Sequence, residues 1–225
     1  MPIRRRAYSM RASRAFTLVE LLMTIGVIGI LAAMLLTVLS QVRSRVQAVC
    51  CLNNLQQWGN ATHLYALDND DFLPKDGTPN GTSVNEGWYI DLPRVINQPT
   101  YHEMPWRTNA SIDPGRSIWI CPANSRRSSG FMLFHYCLND HVNGTGTGKR
   151  IILSGISRPV QTVWLFDNGK TNGVAQQNNV HPSLHNRGAQ FVFLDGHAAR
   201  FKSTEYWDSK HNKGITNNPA LVWIP

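Results

Sequence analysis

The stretch from Arg14 to Leu39, RAFTLVELLMTIGVIGILAAMLLTVL, constrains this chain more than any other. Leu18 to Leu39 is 22 residues with a single charge, Glu20. As a helix rising about 1.5 Å per residue the run is roughly 33 Å long, enough to cross a bilayer core about 30 Å thick. A cleavable secretory signal has an apolar region of about 7–15 residues followed by small residues. This run is longer, and Ser40-Gln41-Val42-Arg43 after it is polar and helix-like. The expectation is a single membrane anchor. A carboxylate at the centre of such a segment costs about 2.5 kcal/mol or more. Glu20 stands two residues into the run, where an interfacial acid is tolerated.

The flanking charge gives a direction. The net charge is +8, from 22 basic and 14 acidic residues. Arg4, Arg5, Arg6, Arg11 and Arg14 precede the run with no acid among them, and only Arg43 and Arg45 follow closely. This asymmetry keeps the N-terminus in the cytoplasm and puts the rest of the chain outside. Without residues 1–15 the balance is 17 bases against 14 acids. The basicity is therefore topological, and no basic patch interleaved with aromatics points to nucleic acid.

Past the membrane run, Val42, Val46, Val49, Leu52, Leu55, Trp58, Thr62 and Tyr65 recur at spacings of three and four, which predicts one apolar helix face. The helix is expected to end near Asp68-Asn69-Asp70-Asp71, before Pro74. Gly26 and Gly29 mark a bend or a close-packing face. Residues 74–117 hold Pro74, Pro79, Pro93, Pro99, Pro105 and Pro114 with Trp88, Tyr89, Tyr101 and Trp106 among them, which predicts loops packed by aromatics into a satellite core. Strands are predicted over Ser117–Cys121, Phe131–Leu138, Arg150–Leu153 and Gln161–Phe166. The Gly-rich run Asn143–Gly148 is a loop without the context of a phosphate cradle.

Cys50, Cys51, Cys121 and Cys137 allow three pairings in an oxidising compartment, and the sequence does not choose among them. On a helix Cys50 and Cys51 point about 100° apart, so each needs a partner elsewhere. Free buried thiols are the alternative, and with no CxxC spacing a zinc site is weakly indicated.

The most distinctive soluble stretch is His185-Asn-Arg-Gly-Ala-Gln-Phe-Val-Phe-Leu-Asp195-Gly196-His197. Ala189–Leu194 and His197–Phe201 flank Asp195-Gly196, a strong hairpin signal, since a two-residue type I′ turn needs positive φ at both positions.

Two sets of residues carry a family resemblance. Ala15-Phe16-Thr17-Leu18-Val19-Glu20 resembles the processing site of type IV prepilins and type II secretion pseudopilins. In that family a membrane peptidase cuts before the Phe and methylates the new amine, and the Glu neutralises the amine of a neighbouring subunit. The resemblance assigns cleavage to Ala15 and Phe16, and filament assembly to Phe16 and Glu20. The family usually has Gly before the cut, where this chain has Ala15. The stretches Cys51–Trp58, Tyr65–Asp70 and Leu73-Pro74 are similar to a large bacterial branch of secretion-associated, pilin-like proteins. So is the pattern of a His, nine residues and Asp-Gly, here His185, Asp195 and Gly196, with Ile120-Cys121-Pro122, Tyr136–Asn139, Ser157–Val160 and Phe166-Asp167 fitting as well.

The resemblance implies an α+β, pilin-like fold, with a long N-terminal helix packed by its outer half on an antiparallel β-sheet. The expected organisation is a basic leader at 1–15, a membrane or filament-core helix at 16–39 and its extramembrane half at 40–70. A β-rich extracytoplasmic domain follows at 71–225, loop-rich over 74–117 and closed by a hairpin at 185–201. The function implied is a structural subunit and not an enzyme, in the bacterial inner membrane with its C-terminal domain periplasmic or extracellular. Its partners would be a prepilin peptidase, sibling pilin subunits and an inner-membrane assembly platform.

Two other classes compete. An anchored carbohydrate- or surface-binding module would expose Trp88, Trp106 and Tyr101. A metal-dependent hydrolase would converge His185, Asp195, His197 and Asp167 on an open coordination site for calcium or another divalent cation. The loops lack the dense oxygen donors that calcium takes, and no nucleophile elbow or HExxH is present. No cofactor is expected, and a structural hydrogen bond from His185 near the Asp-Gly turn is the favoured role for that residue.

Overall fold

The computed structural model describes residues 16–130, 132–142 and 150–225. The basic leader with Ala15, the start of the strand expected at Phe131, and the Gly-rich run Asn143–Gly148 lie outside them. The chain falls into two units, one up to Arg43 and the other Ser44–Pro225.

The first element is α1, Leu18–Asp68, a single helix of 51 residues. From Leu18 to Leu39 its large apolar side chains are exposed. Beyond Ser44 one face turns inward: Cys51, Leu55, Trp58, Ala61, Thr62 and Ala66 are buried. Val42, Val46 and Val49 do not share that face and are exposed. The reason is angular: a step of three residues falls about 60° short of a full turn, so the run 49, 52, 55, 58 carries the expected stripe round to the opposite side. The helix ends where expected. Asp70 and Asp71 take left-handed conformations (φ 54° and 63°), and Asp71 N–H caps the Ala66 carbonyl at 2.9 Å.

The sheet has five strands: β1 (Tyr136–Asn139), β2 (Val163–Asp167), β3 (Val174–Ala175), β4 (Gly188–Phe193) and β5 (Ala198–Lys202), in the order β3-β1-β2-β4-β5. It is antiparallel apart from the short β3, which runs parallel to β1. The central strands are buried on both faces. On one face Trp164, Leu165, Val192 and Leu138 pack in a cluster with Cys51, Leu55, Trp58 and Ala61 of α1. On the other, Val163, Phe166, Phe191 and Phe193 pack with Tyr206, Trp207, Leu221 and Trp223 of the C-terminal segment. That segment begins with the single-turn helix α3 (Ser203–Tyr206) and the small ribbon β6 (Trp207–Asp208) and β7 (Lys213–Gly214).

Residues 74–117 hold one short helix, α2 (Trp88–Val95), and two 3-10 turns. Their aromatics are not a satellite. Trp88, Tyr89, Tyr101 and Trp106 belong to the cluster that contains Trp58, and Tyr101 stacks on Phe134 at 3.9 Å. The polar atoms are used: Trp88 Nε1 donates to Gly173 O at 2.9 Å, and Tyr101 Oη donates to Leu133 O while accepting from Leu133 N–H.

Two predicted strands are absent. Ser117–Cys121 is a turn, because side chains of α1 take its carbonyls: Asn54 Nδ2 donates to Ser117 O and Ile120 O, and Trp58 Nε1 to Ile118 O, at 3.0–3.3 Å. Arg150–Leu153 makes one bridge, Ile152 with Phe72, and then a 3-10 turn.

Candidate functional site

The N-terminus of α1 is built by a reciprocal cap. Glu20 N–H donates to Thr17 Oγ1 at 3.2 Å, and Thr17 N–H and Oγ1 both donate to Glu20 Oε2 at 2.9 and 2.8 Å. This is the Thr-x-x-Glu capping box, a signal legible in the sequence at Thr17 and Glu20. Phe16, just before it, is 71% exposed. Ala15 is outside the described residues.

The stretch from His185 to Gly196 has its length set by β4. Between His185 and Asp195 lie a two-residue turn, the six residues of β4 and Leu194. Asn186 and Arg187 turn the chain at positive φ. Arg200 on β5 fixes the bend, donating from Nε to His185 O at 2.7 Å and from Nη2 to Asn186 O. At the far end the hairpin is not the two-residue type I′ turn. Its loop is Leu194, Asp195 and Gly196, closed by Gly196 N–H to Phe193 O and Phe193 N–H to His197 O at 2.9 Å each. Only Gly196 takes positive φ, at 90°, as in a three-residue loop ending in a left-handed glycine. Contact with α1 selects this form. Gln56 Nε2 donates to Gly196 O, and Gln56 Oε1 accepts from Ala198 N–H. Gly59 lies against the loop: a Cβ there would stand 2.7 Å from Gly196 O.

The four polar candidates form two separate pairs. Asp195 and His197 pair at the partly exposed hairpin tip, Oδ1 to Nδ1 at 2.6 Å. His185 and Asp167 pair in the interior, Nε2 to Oδ2 at 3.1 Å, both almost wholly buried. His185 thus bonds to the end of β2 rather than near the Asp-Gly turn. Asp167 Oδ2 also accepts from Gln190 N–H at 2.7 Å. The same His185 nitrogen lies 3.4 Å from Cys121 Sγ, and Cys121 is joined to Cys51 of α1 by a disulfide. Cys50 is an exposed thiol and Cys137 a buried one; burial, with Asp140 as a lesser cause, pushes the Cys137 thiol well above its ordinary range and leaves it unreactive.

Among the described residues, the group with three or more metal-ligating side chains gathered together is Cys51, Cys121 and His185. It was not legible beforehand, since the three lie far apart in sequence. Trp88 and Tyr101 are fully buried and Trp106 is 5% exposed, so none of them offers a ring to a carbohydrate.

Among the described residues one helix, α1, is long and apolar enough to cross a membrane. Residues 10–36 match the family model of the prokaryotic N-terminal methylation motif. A search of curated proteins and a search of solved structures each found no match. This motif, leading into an exposed apolar helix with an α+β domain after it in the chain, supports a protein of the prepilin and pseudopilin type.

Proposed function

We propose that the chain is a structural subunit of a type II secretion pseudopilus or a type IV pilus-like filament, cut between Ala15 and Phe16 by a prepilin peptidase. The observation that carries this is the first half of α1. Its large apolar side chains from Leu18 to Leu39 are 52–79% exposed, and a soluble fold does not leave a surface of that kind uncovered. Lipid covers it before assembly and sibling helices cover it afterwards.

Glu20 sets the register. Both bonds that it accepts from Thr17 fall on Oε2, so the cap does not occupy Oε1, which is available to the methylated Phe16 amine of a neighbouring subunit. A charge in an apolar filament core is tolerable when paired. His185, Asp195 and Gly196 act structurally in this account: they anchor the two ends of β4, one in the core and one on α1. The chain works with an assembly platform in the inner membrane, its C-terminal domain on the far side.

Intact-mass and N-terminal analysis of the protein from its native membrane tests the processing step. The expected chain begins at N-methylated Phe16; a chain retaining Met1 or its near neighbours overturns it. Glu20→Gln is expected to be processed and inserted normally yet to yield no sheared or cross-linked filament. Filaments at the parental level from this variant would remove Glu20 from assembly.

A further inference from the structure

We propose that Cys51, Cys121, His185 and Asp167 form a metal site for a soft divalent ion such as zinc in the reduced chain, the metal and the disulfide being alternative occupants of one buried position. This lies wholly within the globular unit and is independent of the filament assignment.

The donor set is the first argument. Two thiolates, an imidazole and a carboxylate are ligands that zinc takes in a closed four-coordinate site. The ligand atoms of Cys51, Cys121 and His185 all lie within 4.8 Å of one another. Geometry is the second. In a tetrahedral site with Zn–S near 2.3 Å and Zn–N and Zn–O near 2.05 Å, the sulfur–nitrogen edge is about 3.6 Å and the nitrogen–oxygen edge about 3.4 Å. His185 Nε2 lies 3.4 Å from Cys121 Sγ and 3.1 Å from Asp167 Oδ2, within a few tenths of an ångström of both edges. Outer contacts already hold two of the ligands: Gln190 N–H on Asp167 Oδ2 and Arg200 on the His185 carbonyl.

A disulfide does not use this surrounding. A disulfide is neutral and makes no demand for a carboxylate and an imidazole. Yet both are buried beside it, His185 Nε2 facing Cys121 Sγ and Asp167 Oδ2. A metal beside Asp167 balances its charge.

The steps balance. The chain is made with thiols. Metal binding displaces the two thiol protons, and His185 ligates through Nε2 with its proton on Nδ1. Oxidation takes two electrons from the two thiolates and gives them, with two protons from solvent, to a disulfide oxidant, which becomes a dithiol. The Cys51–Cys121 bond then forms and the metal leaves. A dithiol such as dithiothreitol reverses this, closing to its own cyclic disulfide.

The test uses the full chain in detergent micelles, reduced with dithiothreitol without oxygen, freed of reductant and titrated with cobalt(II). The expected result is binding of a single equivalent, with near-ultraviolet thiolate-to-cobalt charge-transfer bands and tetrahedral d–d bands that zinc abolishes. The oxidised chain shows none of them. Cys121→Ser and His185→Gln lose or reshape the bands, while Cys50→Ser and Cys137→Ser keep them. Near-ultraviolet circular dichroism of the buried tryptophans reports the fold in every sample. The proposal is overturned by a reduced chain that keeps its dichroism and gives no bands, by bands unchanged in Cys121→Ser, or by reduction that itself abolishes the dichroism.

Discussion

His135 is fully buried. Its Nδ1 accepts from Cys121 N–H at 3.2 Å and its Nε2 faces Arg126 O at the same distance, which holds the ring neutral with its proton on Nε2. Burial first, and the Arg126 guanidinium second, push its pKa down to about 4, from 6.5. The sign follows. In the window between those values the unfolded chain takes up a proton that the folded chain refuses, so stability is full above about pH 6.5 and falls as the pH drops toward 4, by up to roughly 3 kcal/mol. His181, also pushed down by burial, acts in the same direction. Urea midpoints of the chain in detergent, measured from pH 7 to pH 4.5, should show this fall. His135→Gln should flatten it, and an unchanged slope in that variant would assign the effect elsewhere.

At the scale of the element, α1 contains three glycines with opposite expected behaviour. Alanine is favoured over glycine in a helix by about 1 kcal/mol. At Gly59 a Cβ would stand 2.7 Å from Gly196 O and 2.8 Å from Val192 Cγ2. Overpacking of that kind against a backbone atom costs about 1–3 kcal/mol, so Gly59→Ala is expected to lower stability despite the better helix former. At Gly26 and Gly29 a Cβ meets nothing within 4 Å. Gly26→Ala and Gly29→Ala should therefore not lower the urea midpoint, and a defect confined to filament yield would identify them as packing positions between subunits. The hairpin of β4 and β5 follows the same logic. The pair Asp195-Gly196 marks it from local conformation alone, but the loop is one residue longer than a type I′ turn because Gln56 and Gly59 receive it.

Across the globular unit, the disulfide ties α1 to the turn after residue 117. Cys51 and Cys121 are 70 residues apart, and closing a loop of that length removes about 4 kcal/mol of unfolded-state entropy. Replacing both by Ala is expected to lower the unfolding free energy by that order, while Cys50→Ser, at an exposed thiol, leaves it unchanged. Equal denaturation midpoints for the double variant and the parent would show that the bridge does not support the fold.

The apolar run, the end of α1 and the position of the hairpin were determined by the sequence alone. Each depends on local conformation or on partition into lipid, and neither requires knowing what the rest of the chain does. The tertiary structure alone decided which side of α1 faces inward, because successive spacings of three walk a stripe round the helix and only the docked sheet says where burial begins. It also decided that Ser117–Cys121 is a turn, since Asn54 and Trp58 claim carbonyls that would otherwise join a ladder. The cysteine pairing, the meeting of Cys51, Cys121 and His185, and the pairing of His185 with Asp167 belong to the same class: contacts between residues distant in sequence are set by packing, which no local pattern encodes.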